Sequence, residues 1–336
     1  MRVKTLVGLS VIFVLVGVLF PASCMNGQEA TTELPKIKIT FATTEGPGYE
    51  VDLQYWVANY IENKTNGKVT FNHVIGGALG GDKQLTEMLQ AGALQCSRSG
   101  GYPSSVYLAK LMPMNIPFLF RNWKDAREYI NEFRDDLTKE LEQYNSITLS
   151  WTRRGPRQTT SNRPIYKPED FKALKIRLPE FPVWIKAWQG LGVLPTPMAF
   201  TEVYSALGKR VIDAQENPIA TIYAAKFYEV QDYLILTEHQ HWISDWTCNK
   251  QWFESLPKEY QEIFIEAFLE LEKYSDEMAP LYDQKLLEEM KGRFKEVITP
   301  DKESIYAAAR PTVEQIAKET LTPKVLEWLK KKDYIN

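Results

Sequence analysis

The stretch Lys36-Ile37-Lys38-Ile39-Thr40-Phe41, then Gly46-Pro47-Gly48, then Val51, Trp56, Val57, Tyr60 and Ile61, decides the fold class. Its first six residues alternate polar and apolar, the period-two pattern of a strand. The Gly/Pro loop leads into apolar residues spaced for a helix. Asn66-Gly67 tolerates the left-handed conformation and closes that helix, and Val69-Thr70-Phe71 starts a second strand. Asp82 opens another helix carrying Leu85, Met88 and Leu89, and Gly92 stops it. Strands alternating with helices predict an α/β architecture with largely parallel sheets. From Pro257 to Lys291 the pattern becomes almost wholly helical. Tyr260, Ile263, Phe264, Ala267, Phe268, Leu271 and Tyr274 make one apolar stripe, long enough to brace two lobes, and Pro280 is expected to kink or break it.

The 336 residues suffice for two ordinary domains and a large core. A formal net charge of -3, with basic residues spread along the chain, argues against nucleic acid or an anionic membrane as the main partner. Arg2 and Lys4 precede an apolar run from Leu6 to Phe20, and small residues follow at Ala22 and Ser23. This is the three-part pattern of a secretory signal, so residues 1–24 are read as a signal segment and 25–35 as a polar linker. The protein is expected outside the cytoplasm, in the periplasm. Cys24 after Pro21-Ala22-Ser23 resembles a lipoprotein processing site, with proline where leucine is familiar, so a lipid anchor at Cys24 stays open. Cys96 and Cys248 are able to join in an oxidising compartment, but two buried free thiols are the preferred reading.

Enzyme chemistry finds no support. There is no His-Glu-x-x-His helix, no Cys-x-x-Cys pair and no Gly-x-Ser-x-Gly elbow. Gly76-Gly77-Ala78-Leu79-Gly80-Gly81-Asp82-Lys83 lacks the Gly-Lys-Ser/Thr end of a phosphate loop, and its aspartate would repel an anion. His239 and His241 share a strand face without an evident third ligand, so neither metal nor cofactor is expected.

The centre of the chain is richer. In Lys175-Ile176-Arg177-Leu178-Pro179, Ile176 and Leu178 point to one strand face and Arg177 to the other. Such an arginine is either ion-paired for structure or aimed at a ligand. Around it stand Arg157-Gln158-Thr159-Thr160-Ser161-Asn162-Arg163, Pro195-Thr196-Pro197-Met198-Ala199-Phe200-Thr201-Glu202, Asp213-Ala214-Gln215-Glu216-Asn217-Pro218 and Phe227-Tyr228-Glu229-Val230-Gln231. This series resembles the solute receptors of TRAP (tripartite ATP-independent periplasmic) transporters, above all members that bind sialic acid and other sugar acids. The resemblance runs from Lys36 to the C-terminus and is strongest from Arg157 to Gln231.

The resemblance implies a two-lobed periplasmic-binding-protein fold with a ligand cleft and a long bracing helix. Residues 36–154 and 243–282 would form one lobe, 155–242 and 283–336 the other. It implies a monomer that captures a small organic acid and passes it to membrane permease subunits. A binding protein serving a sensor kinase and an exported α/β enzyme are the competing functions. Arg177 matches the family arginine that holds the ligand carboxylate in a bidentate pair, a geometry the planar guanidinium suits. Arg157 matches a second contact, Asn217 a further donor, Phe200 a ring against the ligand, and Asp82 an acid reaching polar groups.

Two positions depart from the sialic-acid members: Gly100 stands where they carry a glutamate, and Ala42 replaces an asparagine. Arg98 shares a strand face with Gly100, so it is expected to face the ligand and favour an acidic or hydroxyl-rich end. Pairing with a surface acid is its alternative. His239 and Trp242 complete the ligand-binding candidates, with core packing the competing reading for Trp242 and for Trp246.

Overall fold

The computed structural model describes residues 33–336. Residues 1–24, read above as a signal segment, and with them Cys24, lie outside the described residues. From Pro35 onward the chain forms one compact unit. Strand β1 (Ile37–Thr43) leads to α1 (Tyr49–Lys64), β2 (Val69–Val74), α2 (Asp82–Gln90), β3 (Cys96–Ser99), α3 (Tyr102–Val106) and α4 (Trp123–Glu142). The long β4 (Ser146–Ser161) is followed by β5 (Lys175–Leu178), α5 (Pro182–Gln189), β6 (Leu194–Pro197), α6 (Val203–Gly208), β7 (Ala214–Pro218), α7 (Ile219–Ala224) and β8 (Tyr233–Ile235). Then come β9 (His241–Asn249), α8 (Lys250–Glu254), α9 (Lys258–Met290), β10 (Glu296–Ile298), α10 (Lys302–Thr320) and α11 (Pro323–Lys331). The alternation expected from the sequence is present, and Asn66 and Gly67 both adopt positive φ after α1. Among the described residues no helix is long and apolar enough to cross a membrane.

The strands lie in the order β2-β1-β3-β9-β4-β7-β5-β6, with β8 and β10 joined to the end of β4. Pairing is parallel towards both outer ends, between β1 and β2, β1 and β3, β5 and β6, and β5 and β7. It is antiparallel in the centre, where β9 pairs with β3 and β4, and β4 pairs with β7. The sheet is therefore mixed where largely parallel pairing was expected: β4 and β9 traverse its middle in opposite directions. The first part of β4, Ser146–Pro156, pairs with β9, and the last part, Arg157–Ser161, pairs with β7.

Helix α9 lies along this crossing. Its stripe of Tyr260, Phe264, Ala267, Phe268 and Leu271 is buried, and Phe268 packs tilted against Phe41 and Trp246. The polar edge of the helix also binds the β4 backbone: Trp151 N donates to Glu272 Oε1 (2.7 Å) and Arg153 N to Ser275 Oγ (3.1 Å). Pro280 does not break the helix, which is continuous through it. A proline leaves the carbonyl four residues earlier without its helical donor; here that carbonyl is Asp276 O, and Arg153 Nη1 donates to it at 3.3 Å.

Cys96 and Cys248 are not separate thiols. They stand directly opposite each other in the β3–β9 ladder and form a disulfide. Their sequence separation of 152 hides the pairing until the crossing strands are placed. The Cys96→Ala/Cys248→Ala protein should lose about 2–4 kcal/mol of stability. Urea unfolding checks this, and reductant should bring the wild type down to the double variant's midpoint.

Asp283 of α9 sits against β4 at Gly155. That glycine has φ +82, and a Cβ there would stand 2.0 Å from Asp283 Oδ2. Oδ2 is buried without a hydrogen-bond partner. Burial pushes the carboxyl up to about 7, with Arg153 opposing and Glu50 adding to the rise. The folded protein thus holds this proton up to about pH 7, whereas an unfolded chain releases it near ~3.9. The associated stability is fully present below ~3.9 and is lost as pH rises through about 7. Asp283→Asn should therefore be more stable than wild type at high pH, with the difference shrinking as the pH falls towards 4. Denaturation midpoints across that range measure it, and parallel profiles would contradict the assignment.

Candidate functional site

A narrow cleft opens beside the crossing of β4 and is lined from both halves of the sheet. Thr44 and Glu45 follow β1, Asp82 begins α2 and Gly100 follows β3; Arg157, Arg177, Pro179, Phe181, Trp184, Phe200 and Asn217 come from the other half, and Arg154 from β4 before the switch. Five of the residues expected from the sequence meet here: Arg177, Arg157, Asn217, Phe200 and Asp82.

Arg177 projects from β5 opposite to Ile176 and Leu178, which are fully buried in the core. It is itself only 3% exposed. Its Nε and Nη2 both donate to one neutral acceptor, Met198 O, at 3.1 and 2.8 Å. No carboxylate of the described residues forms an ion pair with it. Burial lowers its pKa to about 10, and the more distant Glu216 and Asp82 only partly offset this. A buried cation held by a single carbonyl is under-compensated.

Arg157 is the opposite case. Its Nε and Nη2 fork onto the Glu216 carboxylate, Nη2 also donates to Asn217 Oδ1 (3.0 Å), and the guanidinium lies over Trp184 at 4.8 Å. Burial raises the Glu216 carboxyl, but Arg157 and His239 outweigh it and hold it below the usual range. Asn217 Nδ2 donates to Gln215 Oε1. Asp82 Oδ1 accepts from Thr44 Oγ1 and from Gly100 N, both at 3.0 Å.

Three expected residues lie elsewhere. Arg98 does not face the cleft. It is fully buried, with Nη2 2.7 Å from Glu50 Oε2, Nη1 3.3 Å from Glu45 Oε1, and Nε and Nη2 donating to Ser244 Oγ. It pairs with acids, but with two buried ones where the alternative placed an acid at the surface. His239 lies behind Glu216: its Nε2 donates to Glu216 Oε2 (3.0 Å) and its Nδ1 accepts from Thr237 Oγ1 (2.8 Å). Burial lowers its pKa, so this neutral tautomer is the one the neighbours select. Trp242 is core. Its Nε1 donates to Gly100 O (3.0 Å) and its ring packs edge-on against Trp184. It fits because Gly101 has no side chain: a Cβ there would meet the indole at 2.2 Å. Trp246 is likewise fully buried.

Sequence reasoning missed Arg154, Glu45, Trp184 and Phe181 as lining residues. In a regular strand Arg154 and Arg157, three apart, point to opposite faces. The ladder shifts register between Arg153 and Gly155, and this irregularity lets both line the same cleft. Arg154 Nη2 donates to Glu45 Oε1 (2.6 Å) and to Thr221 Oγ1 (2.7 Å). Among the described residues no group of three or more metal-ligating side chains is gathered.

The family model DctP, bacterial extracellular solute-binding protein, family 7, matches residues 50–320. The 2,3-diketo-L-gulonate-binding periplasmic protein YiaO of Escherichia coli K12 is 32% identical over 261 residues, 75% of this chain and 80% of that one. A TRAP periplasmic solute binding protein from Pseudomonas putida F1, solved with bound D-glucuronate, superimposes with TM-score 0.81 at 26% identity, covering 88% of this chain and 97% of that one. Another from Polaromonas sp. JS666, bound to D-erythronate, gives TM-score 0.80 at 27% identity, covering 84% and 95%. With its two-ended sheet, long helix and arginine-lined cleft, the chain belongs to family 7 of the bacterial extracellular solute-binding proteins, the solute receptors of TRAP transporters.

Proposed function

We propose that this receptor captures a hydroxylated monocarboxylic acid, a sugar acid or close relative, with the carboxylate on Arg177. The carrying observation is the state of Arg177: buried, charged, and hydrogen-bonded only to Met198 O. A ligand carboxylate would supply its missing counter-charge. Arg157 and Asn217 stand ready to add donors, held in place by Glu216 and, behind it, His239. Phe200 and Phe181 would cover the apolar face of the ligand. Each charge-assisted bond contributes about 1.5–3 kcal/mol, so a few of them supply much of the ~8 kcal/mol of micromolar capture. The sugar acids bound by the relatives support this class. The two sheet halves would act as lobes, dividing near 154/155 and 242/243, that close on the ligand by binding the closed form better. Export by residues 1–24, a monomeric state and a purely binding, non-catalytic role complete the reading.

Calorimetry with D-glucuronate, L-galactonate and D-erythronate tests it. At least one should bind with a Kd of roughly micromolar or tighter. Arg177→Lys keeps the charge and loses the fork, so affinity should fall at least ~tenfold, about 1.4 kcal/mol. Unchanged affinity would remove Arg177 as the anchor, and no binding of any acid would overturn the class.

A further inference from the structure

We infer that the glycine-rich run 76–81 and the turn 199–201 form a seam that shuts the cleft over the bound acid, and that parting of this seam sets the rate of release. The inference rests on the lobe closure proposed above and names the contact that closure makes.

The glycine run lies between β2 and α2, in the half of the sheet that carries β1. Its own backbone fixes it there: Gly76 N donates to Glu45 O (2.7 Å), Gly77 N to Thr43 O (3.2 Å) and Gly80 N to Gly77 O (2.9 Å). The turn follows β6 in the other half. It too is held locally, with Met198 N donating to Leu178 O (3.3 Å) and Glu202 N to Ala199 O (3.2 Å). The two segments then meet closely. A Cβ on Gly77 would stand 2.7 Å from Thr201 Cγ2, and one on Gly81 would stand 3.6 Å from Ala199 Cβ. The neighbouring glycine loop repeats the pattern across the halves: a Cβ on Gly48 would stand 3.2 Å from Ala224 Cβ.

The chemistry of this contact suits repeated opening. Glycine lets the backbone of one half come within reach of methyl groups on the other. Among the described residues no hydrogen bond or ion pair joins 76–81 to 199–201. Parting the seam therefore leaves no polar partner unpaired, and its dispersion contacts weaken within about 1 Å of separation. Its place ties it to the anchor. Gly81 and Ala199 line one depression together with Arg177 and Phe200, and Tyr102 meets Phe181 across it with ring centroids 6.0 Å apart. Arg177 Nε and Nη2 both donate to Met198 O, the residue before Ala199. A carboxylate drawn to Arg177 thus lies beside the turn that meets the glycine run.

Gly81 offers the test. Its φ of -80 and ψ of 178 are extended values open to any side chain. The 3.6 Å from its Cβ position to Ala199 Cβ lies within the disulfide range of about 3.5–4.5 Å. Gly81→Cys/Ala199→Cys should therefore cross-link on mild oxidation, as mass spectrometry would show. Small-angle scattering without ligand should give a smaller radius of gyration for the oxidised variant than for the reduced one. Oxidised after loading with D-glucuronate, the variant should release it at least ~100-fold more slowly than when reduced. Wild type given the same oxidant and reductant controls for the native Cys96–Cys248 bond. Gly81→Val adds bulk to the seam and forms no bond, so it should release D-glucuronate at least ~tenfold faster than wild type. Thermal unfolding without ligand reports any damage to the fold. Failure to cross-link, equal radii in the two redox states, or equal release rates would each overturn the inference. Failure of wild type to hold D-glucuronate would bear on the ligand reading alone, and the ligand-free scattering would then decide the seam.

Discussion

Strand β4 donates its backbone to both halves of the sheet, and this shared ladder fixes where the cleft side chains stand. Its sixteen residues run from the β9 pairing to the β7 pairing without leaving the sheet. The change of partner falls at Pro156 and Arg157, and Pro156 carries no amide hydrogen to place. The irregularities that flank Ser150 and Gly155 disturb the regular ladder, and α9 takes up the amides of Trp151 and Arg153 with Glu272 and Ser275. The long helix therefore supports the strand at the stretch where its pairing is least regular. Arg154 and Arg157 leave the strand just beyond that support, so their guanidinium positions inherit its rigidity.

Electrostatics then divides the cleft. Burying a guanidinium is costly unless acids and hydrogen bonds answer it. Arg98 and Arg154 share Glu45 and Glu50, and Arg157 takes Glu216, which His239 and Thr237 orient from behind. These pairs run outward from the cleft into the core, so the acids double as struts. The tryptophans act similarly: Trp242 holds the Gly100 carbonyl and Trp184 carries the Arg157 guanidinium on its face.

Much of this was legible in the sequence, for reasons local to each residue. The alternation of Ile176 and Leu178 around Arg177 needs only the two-residue period of a strand, and it gave the right face. The stripe on α9 needs only helical spacing. What failed to show depends on contacts distant along the chain. The Cys96–Cys248 bond joins strands that become neighbours only when β9 returns through the sheet. The continuity of α9 at Pro280 depends on Arg153 reaching a carbonyl from another element. Arg154 was hidden by a register shift, and Arg98 was misplaced because a strand face names a direction without naming what occupies it.

The contrast between Arg98 and Arg177 carries a rule that residue type and burial do not. Both are arginines on short inner strands, and both are almost wholly excluded from solvent. Arg98 meets two carboxylates and a serine hydroxyl, so its charge and several of its donors are satisfied within the fold. Arg177 meets one carbonyl oxygen. A fold under selection for stability alone would place an acid beside Arg177 or replace the arginine, because an uncompensated buried charge works against the folded state. A counter-charge from outside, such as the carboxylate of the proposed ligand, would supply what the fold does not. By the same criterion Arg157, whose fork is taken by Glu216, has its charge answered within the fold, and it also holds Asn217 Oδ1.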